Sequence, residues 1–359
     1  MHITIFLGGL SGGGAERVAC NIANYLFEKG HNVCILTVGN DNPSYTLNTH
    51  IERFFLASEN TSRNFLIEAV LRIYRFLKFV KKNKTDVYVV FLPFPTVMLL
   101  SVRWLVRAKV IASERADPNT YSNMYQHLLK RLACKADAWV FQTNQQKEWY
   151  GDSVSSTRST IIANAINEEF ILPEFCGERR KLIVTAGRLN KQKNHRLLLK
   201  AFAQLSQKYV DYVLHIYGEG PLKEDLQMLI NEYKLVDRAY LSGYSNDVIS
   251  AIKDASLFVL SSDYEGMPNA LMESMALGLP CISTDCGGGG ARFLIDNGVN
   301  GILVPCNDAD ALASAMDEIL SDKNFANRLG KEARKISERF SPDKIYGYWE
   351  QFIGNVVKD

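Results

Sequence analysis

Short apolar runs alternate along this chain with segments whose apolar positions recur every three or four residues. The runs read as buried strands and the segments between them as helices. In the first half the strands are 2–7, 31–38, 87–91, 109–112 and 138–144, and Ala15 to Lys29 is a helix ended by Gly30. The second half restarts the pattern. Strands are expected at 181–186, 212–217, 239–241, 256–260 and 281–284. Helices are expected at 197–208, 222–234, 309–320 and 322–340, with a further helix entered at Pro268 and closed by Gly278 and Pro280. Regular β/α alternation implies parallel sheets. The expected fold class is therefore α/β, two Rossmann-like β/α/β domains. Residues 1–166 form the first and 181–340 the second. The polar stretch 167–180, carrying Pro173 and Gly177, is the linker between them. Residues 341–359, with Trp349 and Phe352, form a last helix that packs back on the first domain.

A length of 359 residues suits two ordinary domains, and 47% apolar with 22% charged residues is ordinary globular material. The net charge of +2 is too small to argue for nucleic acid. Seven scattered cysteines, an odd number with no CxxC pair, suit reduced thiols in a cytoplasmic protein. The six histidines lack metal-ligand spacing, so no metal site is expected. The opening apolar run stops at Gly8-Gly9 and lacks a basic start, unlike a signal peptide. The most apolar longer stretch, 87–102, contains Pro93 and Pro95 and is followed by Arg103 and Arg107, so no membrane span is expected.

Three stretches carry candidate chemistry. The strand 256–260 leads into Ser261-Ser262-Asp263-Tyr264-Glu265-Gly266-Met267-Pro268-Asn269-Ala270-Leu271-Met272-Glu273. The helix there points its free backbone N–H groups, at Asn269 and Ala270, above the strand end, where an anion is favoured. Glu265 and Glu273 beside an anion site make sense if the anion also carries hydroxyls, as a sugar nucleotide does. Taken singly, either glutamate is equally explained by dipole complementation or solvation. The second stretch is Ala186-Gly187-Arg188-Leu189-Asn190-Lys191-Gln192-Lys193-Asn194, which follows a strand and holds fixed positive charge. The third is Gly12-Gly13-Gly14-Ala15-Glu16-Arg17-Val18. A dinucleotide fingerprint fails there, because Arg17 stands where the third glycine belongs.

Together these stretches resemble the retaining glycosyltransferases of family 4, nucleotide-sugar enzymes with the GT-B fold, and in particular members that assemble polysaccharides and lipid-linked oligosaccharides. Glu265 and Glu273 match the family's Glu-x7-Glu signature, and 186–194 looks like its phosphate-binding loop. The resemblance covers nearly the whole chain. It implies two domains facing across a cleft and a UDP-sugar donor. Arg188 and Lys193 would then stabilise the departing diphosphate, together with the helix terminus at Asn269 and Ala270. Glu265 would hold donor-sugar hydroxyls and Glu273 the ribose. The glycines Gly13, Gly14, Gly187, Gly218 and Gly243 would let the backbone approach the donor. Ser113-Glu114-Arg115 resembles the family's acceptor-side turn, with Arg115 where a histidine often stands. Ile161 to Ile166 resembles the stretch that ends the first domain, with Ala165 in place of proline. No Asp-x-Asp motif is present, so no metal cofactor is expected.

Residues 63–84 form a basic amphipathic segment. Phe65, Leu66, Val70, Ile73, Leu77 and Val80 alternate with Arg72, Arg75, Lys78, Lys81, Lys82 and Lys84, opposed only by Glu68. A surface helix with one face in the core explains this. So does contact with an anionic membrane surface or a pyrophosphate-bearing acceptor, and the resemblance favours the latter, with Arg75 and Lys78 on the acceptor side. The expected activity is transfer of one sugar from a UDP-sugar to a lipid-linked (polyprenyl pyrophosphate) oligosaccharide, at the inner face of the plasma membrane. The rival readings are a UDP-sugar 2-epimerase, which would lack Glu-x7-Glu, and an inactive scaffold subunit of a polysaccharide synthase.

Overall fold

A computed structural model describes residues 1–10, 12–39, 44–57, 65–154, 159–245 and 247–358; the side chains of Phe65 and Leu66 are not described. Its contacts divide the chain into two units. One comprises Met1–Ala165 with Asp343–Asp359, the other Ile166–Pro342.

The first unit is built on strands β1 (His2–Leu7), β2 (Asn32–Thr37), β3 (Glu52–Phe55), β4 (Val87–Phe91), β5 (Lys109–Ser113), β6 (Ala138–Phe141) and β7 (Ser159–Ile161). They form one parallel sheet in the order β3-β2-β1-β4-β5-β6-β7. The order reverses at β1, between β2 and β4, the place where such sheets bind ligands beyond their strand ends. The helices are α1 (Gly14–Glu28), α2 (Phe65–Lys82), α3 (Pro93–Ser101), α4 (Asn123–Leu132) and α5 (Asn144–Tyr150). Strands β1, β4 and β5 are buried along nearly their whole length, as expected of a sheet covered on both faces.

The second unit carries β8 (Arg180–Ala186), β9 (Val213–Tyr217), β10 (Ala239–Gly243), β11 (Ala255–Leu260), β12 (Cys281–Thr284) and β13 (Ile302–Val304), again all parallel, in the order β10-β9-β8-β11-β12-β13. Its helices are α6 (His195–Leu205), α7 (Lys223–Glu232), α8 (Val248–Ile252), α9 (Asn269–Ala276), α10 (Gly290–Leu294), α11 (Ala309–Ser321), α12 (Lys323–Arg334) and α13 (Ile336–Arg339). The last helix, α14 (Pro342–Lys358), groups with the first unit and buries Ile345, Trp349 and Ile353. The Trp349 ring lies 6.0 Å from that of Phe91 at the end of β4.

The structure adds elements that the apolar pattern did not announce. Three of them, β3, β7 and β13, have only three or four residues each, and β3 is not buried throughout. Helix α3 begins at Pro93, where proline's fixed φ suits the first turn. The prolines that break a membrane span therefore start a helix. Among the described residues no helix is long and apolar enough to cross a membrane. The stretch 166–180 groups with the second unit, and its Ile166 and Phe170 are buried.

Helix α2 keeps Ile73, Leu77 and Val80 on its core side, as expected, but its inward side is centred on Phe76 and Phe79 and leaves Val70 in solvent. Phe76 and Phe79 are the buried residues, while Ile73, Leu77 and Val80 pack beside them only in part. Val70 is 66% exposed, with Ile67 at 51% and Tyr74 at 63%. The register follows from Glu68, which is buried and takes ion pairs from Arg72 at 3.2 Å and Arg75 at 3.3 Å. Arg75 also donates to the Leu56 carbonyl at 2.8 Å, just beyond β3. Arg63 and the side chains of Phe65 and Leu66 lie outside the described residues.

Candidate active site

The second unit brings its candidate residues together at the carboxyl ends of its strands. Three neighbouring strands end in glycines. The Gly187 N–H donates to the Tyr217 carbonyl at 2.9 Å, and the Gly218 N–H to the Gly243 carbonyl at 2.8 Å. Gly218 has φ +139° and Gly243 φ +70°, which favour glycine. A Cβ on Gly218 would stand 2.0 Å from the Gly187 carbonyl oxygen, so only glycine permits this approach. The stacked turns leave a backbone surface with no side chains at Gly187, Gly218 and Gly243. Arg188 is exposed beside it and holds no ion pair among the described residues.

The loop 190–194 is fastened to the exit of β11. The Asp263 N–H donates to the Gln192 carbonyl at 2.8 Å, and Ser261 Oγ to the Lys193 carbonyl at 3.0 Å. Asn194, left-handed at φ +42°, caps α6 and donates from Nδ2 to Asp263 at 2.7 Å. This clamp sets Lys193 Nζ 2.5 Å from Glu265 Oε1. Glu265 is buried, and Ser262 Oγ donates to the same oxygen at 2.7 Å. Gln192 Nε2 reaches the other carboxylate oxygen at 3.4 Å. Lys193 is thus not the exposed loop cation that the sequence suggests, since its side chain is 17% exposed and neutralises a buried carboxylate.

Four residues beyond Glu265, α9 begins. Its N-cap Pro268 makes no side-chain cap. Ala270 therefore presents a first-turn N–H with no intrahelical partner. Glu273 sits half-buried one turn beyond Asn269, on the same side of α9. The next loop closes against this turn. Glu265 N–H donates to the Gly287 carbonyl at 2.9 Å, and a Cβ on Gly290 would stand 1.8 Å from the Gly266 carbonyl.

One residue in this clamp escaped the sequence reading. His195 opens α6 and is buried, and among the described residues neither ring nitrogen makes a hydrogen bond of normal geometry, although the backbone at Gly187 and Arg188 works weakly against its shift. Burial, and then the nearby Lys193 ammonium, push its pKa down to about 4. Its signal in the sequence was only its place after Lys193-Asn194.

The first unit places Gly13 and Gly14 at the start of α1. Gly12 takes φ +108°, and the N-cap Gly13 offers no side chain to the first turn. At the end of β5, Glu114 points inward. Its carboxylate accepts from Tyr121 OH at 2.5 Å, Tyr150 OH at 2.7 Å, and the N–H groups of Arg115 and Ala116. Burial raises its pKa against the pull of these donors. Glu114 therefore holds the turn, and it does not offer an oxygen to an acceptor. Arg115 is buried between the rings of Phe91 and Trp349, with centroids at 5.0 and 5.2 Å, and donates to Asn164 at 3.1 Å. Its Nε and Nη2 have no partner. Of the basic-helix candidates, Arg75 is spent on Glu68 and Leu56, whereas Lys78 is exposed. Among the described residues no cluster of three His, Cys, Asp or Glu side chains is placed to hold a metal ion.

Comparison with known proteins agrees with this layout. Residues 12–170 match the family described as Glycosyltransferase Family 4, and residues 168–336 match Glycosyl transferases group 1. An uncharacterized glycosyltransferase of Haemophilus influenzae is 27% identical over 96% of this chain and 97% of its own length. A Campylobacter jejuni N-acetylgalactosamine-N,N′-diacetylbacillosaminyl-diphospho-undecaprenol 4-alpha-N-acetylgalactosaminyltransferase is 29% identical over 95% of this chain and 96% of its own. Among solved structures, Anabaena HepE in complex with UDP superposes with TM-score 0.83 at 15% identity, covering 99% of this chain and 100% of that chain. The sucrose-phosphate synthase of Thermosynechococcus elongatus gives 0.85 at 20% identity, covering 99% and 98%. The fold is GT-B.

Two measurements test this geometry. Removing one partner of a buried pair leaves the other uncompensated, so Lys193→Ala should destabilise the protein by roughly 1–3 kcal/mol, discounted for partial exposure. Arg188→Ala should leave the melting temperature nearly unchanged. Equal melting curves for both variants would show that Glu265 does not need Lys193. For His195, the folded state binds no proton between about pH 6.5 and 4, where the unfolded chain does. Stability should therefore fall as pH drops through that window, by up to about 1.4 kcal/mol per pH unit from this group. His195→Leu should flatten that part of a denaturant-stability profile, and an unchanged slope would remove His195 as its source.

Proposed function

The chain belongs to glycosyltransferase family 4, and from that membership and the geometry above we propose that it is a retaining enzyme moving a sugar from a UDP-sugar to a polyprenyl diphosphate-linked oligosaccharide. The observation that carries this reading is the clamp that sets Lys193 against Glu265, beside exposed Arg188 and the uncapped start of α9. Cations and free N–H groups suit a diphosphate, and the carboxylates suit sugar hydroxyls.

In this reading the donor diphosphate lies over the bare backbone of Gly187, Gly218 and Gly243, where no side chain obstructs it. Arg188 and the α9 N-terminus take up the negative charge that grows as the sugar leaves. Lys193 is shared between Glu265 and the diphosphate, so the buried carboxylate fixes the ammonium before substrate arrives. Glu265 in turn accepts from donor-sugar hydroxyls, and Glu273 accepts from the ribose. The residues supply no second carboxylate suited to act as a nucleophile. A front-face transfer fits that set, with the leaving phosphate taking the acceptor proton and the configuration retained. The positive charges that a divalent ion would otherwise provide are built into the chain, so turnover needs no metal.

The acceptor is read from two kinds of support. The Campylobacter jejuni relative acts, by its name, on a diphospho-undecaprenol glycan. Helix α2 exposes Ile67, Val70 and Tyr74 and continues into exposed Lys78, Lys81 and Lys82. Apolar and basic residues in that sequence suit peripheral contact with an anionic leaflet at the inner face of the plasma membrane. The membrane-facing residues are then Ile67, Val70 and Tyr74, because Ile73 and Leu77 pack on the core.

The decisive assay offers radiolabelled UDP-sugars with a polyprenyl diphosphate-linked acceptor in EDTA. Transfer with retained configuration is expected, and Arg188→Ala should lower kcat by roughly two to three decades. Wild-type turnover in that variant, or activity seen only after adding manganese or magnesium, would overturn the charge assignment. Glu273→Gln should weaken UDP binding in calorimetry, since a ribose contact acts on ground and transition states alike. Glu265→Gln should spare UDP and lose transfer, and the reverse split would exchange the two roles.

A separate test addresses the membrane. Each cation adds about 1 kcal/mol near an anionic surface. Replacing Lys78, Lys81 and Lys82 by glutamate, or Ile67, Val70 and Tyr74 by serine, should weaken sedimentation with anionic vesicles while the melting temperature holds. Undiminished binding in both variants would make α2 purely structural.

A further inference from the structure

The second unit holds a cavity at the amino ends of strands β8, β11 and β12, the opposite end of the sheet from the strand-end glycines. Its volume is about 450 Å3, within the range of small-molecule sites. Its floor is Leu277 and Gly278, at the C-terminal end of α9, and its walls are α12 and the segment leading into β8. Four cations line it, Arg179, Arg328, Lys331 and Arg334, against one carboxylate, Glu174. None of the four is ion-paired among the described residues.

The two inner arginines are fixed by the backbone. Arg179 donates to the carbonyls of Gly278 at 2.6 Å and Ala255 at 3.0 Å, and Arg334 donates to the carbonyl of Leu172. Carbonyl oxygens satisfy their N–H groups but do not cancel their charge. Burial accordingly disfavours the charged form of Arg179. Arg328 and Lys331 are exposed on α12, three residues apart and therefore on one face, with Arg334 three residues further. Close packing holds the floor in place, since a Cβ on Gly330 would stand 2.3 Å from the Gly278 carbonyl. A concave surface with four cations and one carboxylate, two of the cations fixed by the backbone, suits an anion.

We propose that this cavity binds a phosphate-bearing anion, with Arg328 and Lys331 contacting its oxygens and Arg179 and Arg334 supplying fixed charge from the walls. The same chemistry has two sources, a free phosphorylated molecule or the headgroup of an anionic lipid. The site is separate from the residues assigned to the donor, and it stands or falls independently of them.

Inorganic pyrophosphate, titrated calorimetrically into protein saturated with UDP so that the donor site is filled, tests the first source. Sedimentation with vesicles of phosphatidylglycerol in phosphatidylcholine tests the second. Arg328→Gln/Lys331→Gln should weaken pyrophosphate or vesicle binding by about tenfold or more, because each lost contact to an ionised group is worth at least that order. Both residues are exposed, and an unchanged melting temperature controls for folding. A pyrophosphate effect identifies a free ligand, and a vesicle effect alone identifies a lipid headgroup. Pyrophosphate and vesicle binding that are both absent, or both insensitive to the double substitution, would overturn the proposal.

Discussion

The second unit depends on a buried carboxylate being met by an ammonium from another loop. Glu265 leaves β11 and Lys193 leaves β8, and their 2.5 Å contact joins two adjacent strand ends. Such a pair is a poor source of stability, because desolvating two charges offsets most of their attraction. Its value is positional. The loop bonds from Asp263, Ser261 and Asn194 over-determine where the pair sits. A side chain held this way loses little further entropy when a ligand engages it. His195 belongs to the same constraint. It is kept neutral by burial and by the neighbouring ammonium.

The first unit uses a buried carboxylate for the opposite end. Glu114 is satisfied from inside, by two phenols and two backbone N–H groups. Nothing of it remains for a ligand. The residue beside it, Arg115, is left with two unpartnered nitrogens between two aromatic rings. The aromatic faces offset part of the cost of burying that charge, and Trp349 reaches this place only because α14 groups with the first unit.

The fold was legible because its signals are local. Buried parallel strands read as apolar runs, and Gly30 and Gly278 mark helix ends through their positive φ. Gly187, Gly218 and Gly243 were visible as strand-ending turns, although only the structure shows that Gly218 must be glycine against the Gly187 carbonyl. Short edge strands such as β3 and β13 were not legible, because three or four residues carry too little periodicity. The inward centre of α2, at Phe76 and Phe79, was not legible for a different reason. Its sequence contains two apolar stripes, and the buried Glu68 with its two arginines decided which one turned inward.

That last case separates the donor side of the problem from the acceptor side. The donor-side candidates Arg188, Lys193, Glu265 and Glu273 follow β8 and β11, so residue order alone assigns them to the ends of adjacent strands. The acceptor-side candidates on the first unit depend on which face of a helix points outward and on which charges have already been spent. Arg75 looks like a free cation in the sequence, and in the structure its N–H groups serve Glu68 and a carbonyl. Lys78, one turn away, keeps its charge in solvent. Counting cations along a helix therefore overstates its attraction for an anionic surface. The relevant count is of cations left without an internal carboxylate, and on α2 that count shifts the basic face toward the C-terminal end, away from Glu68.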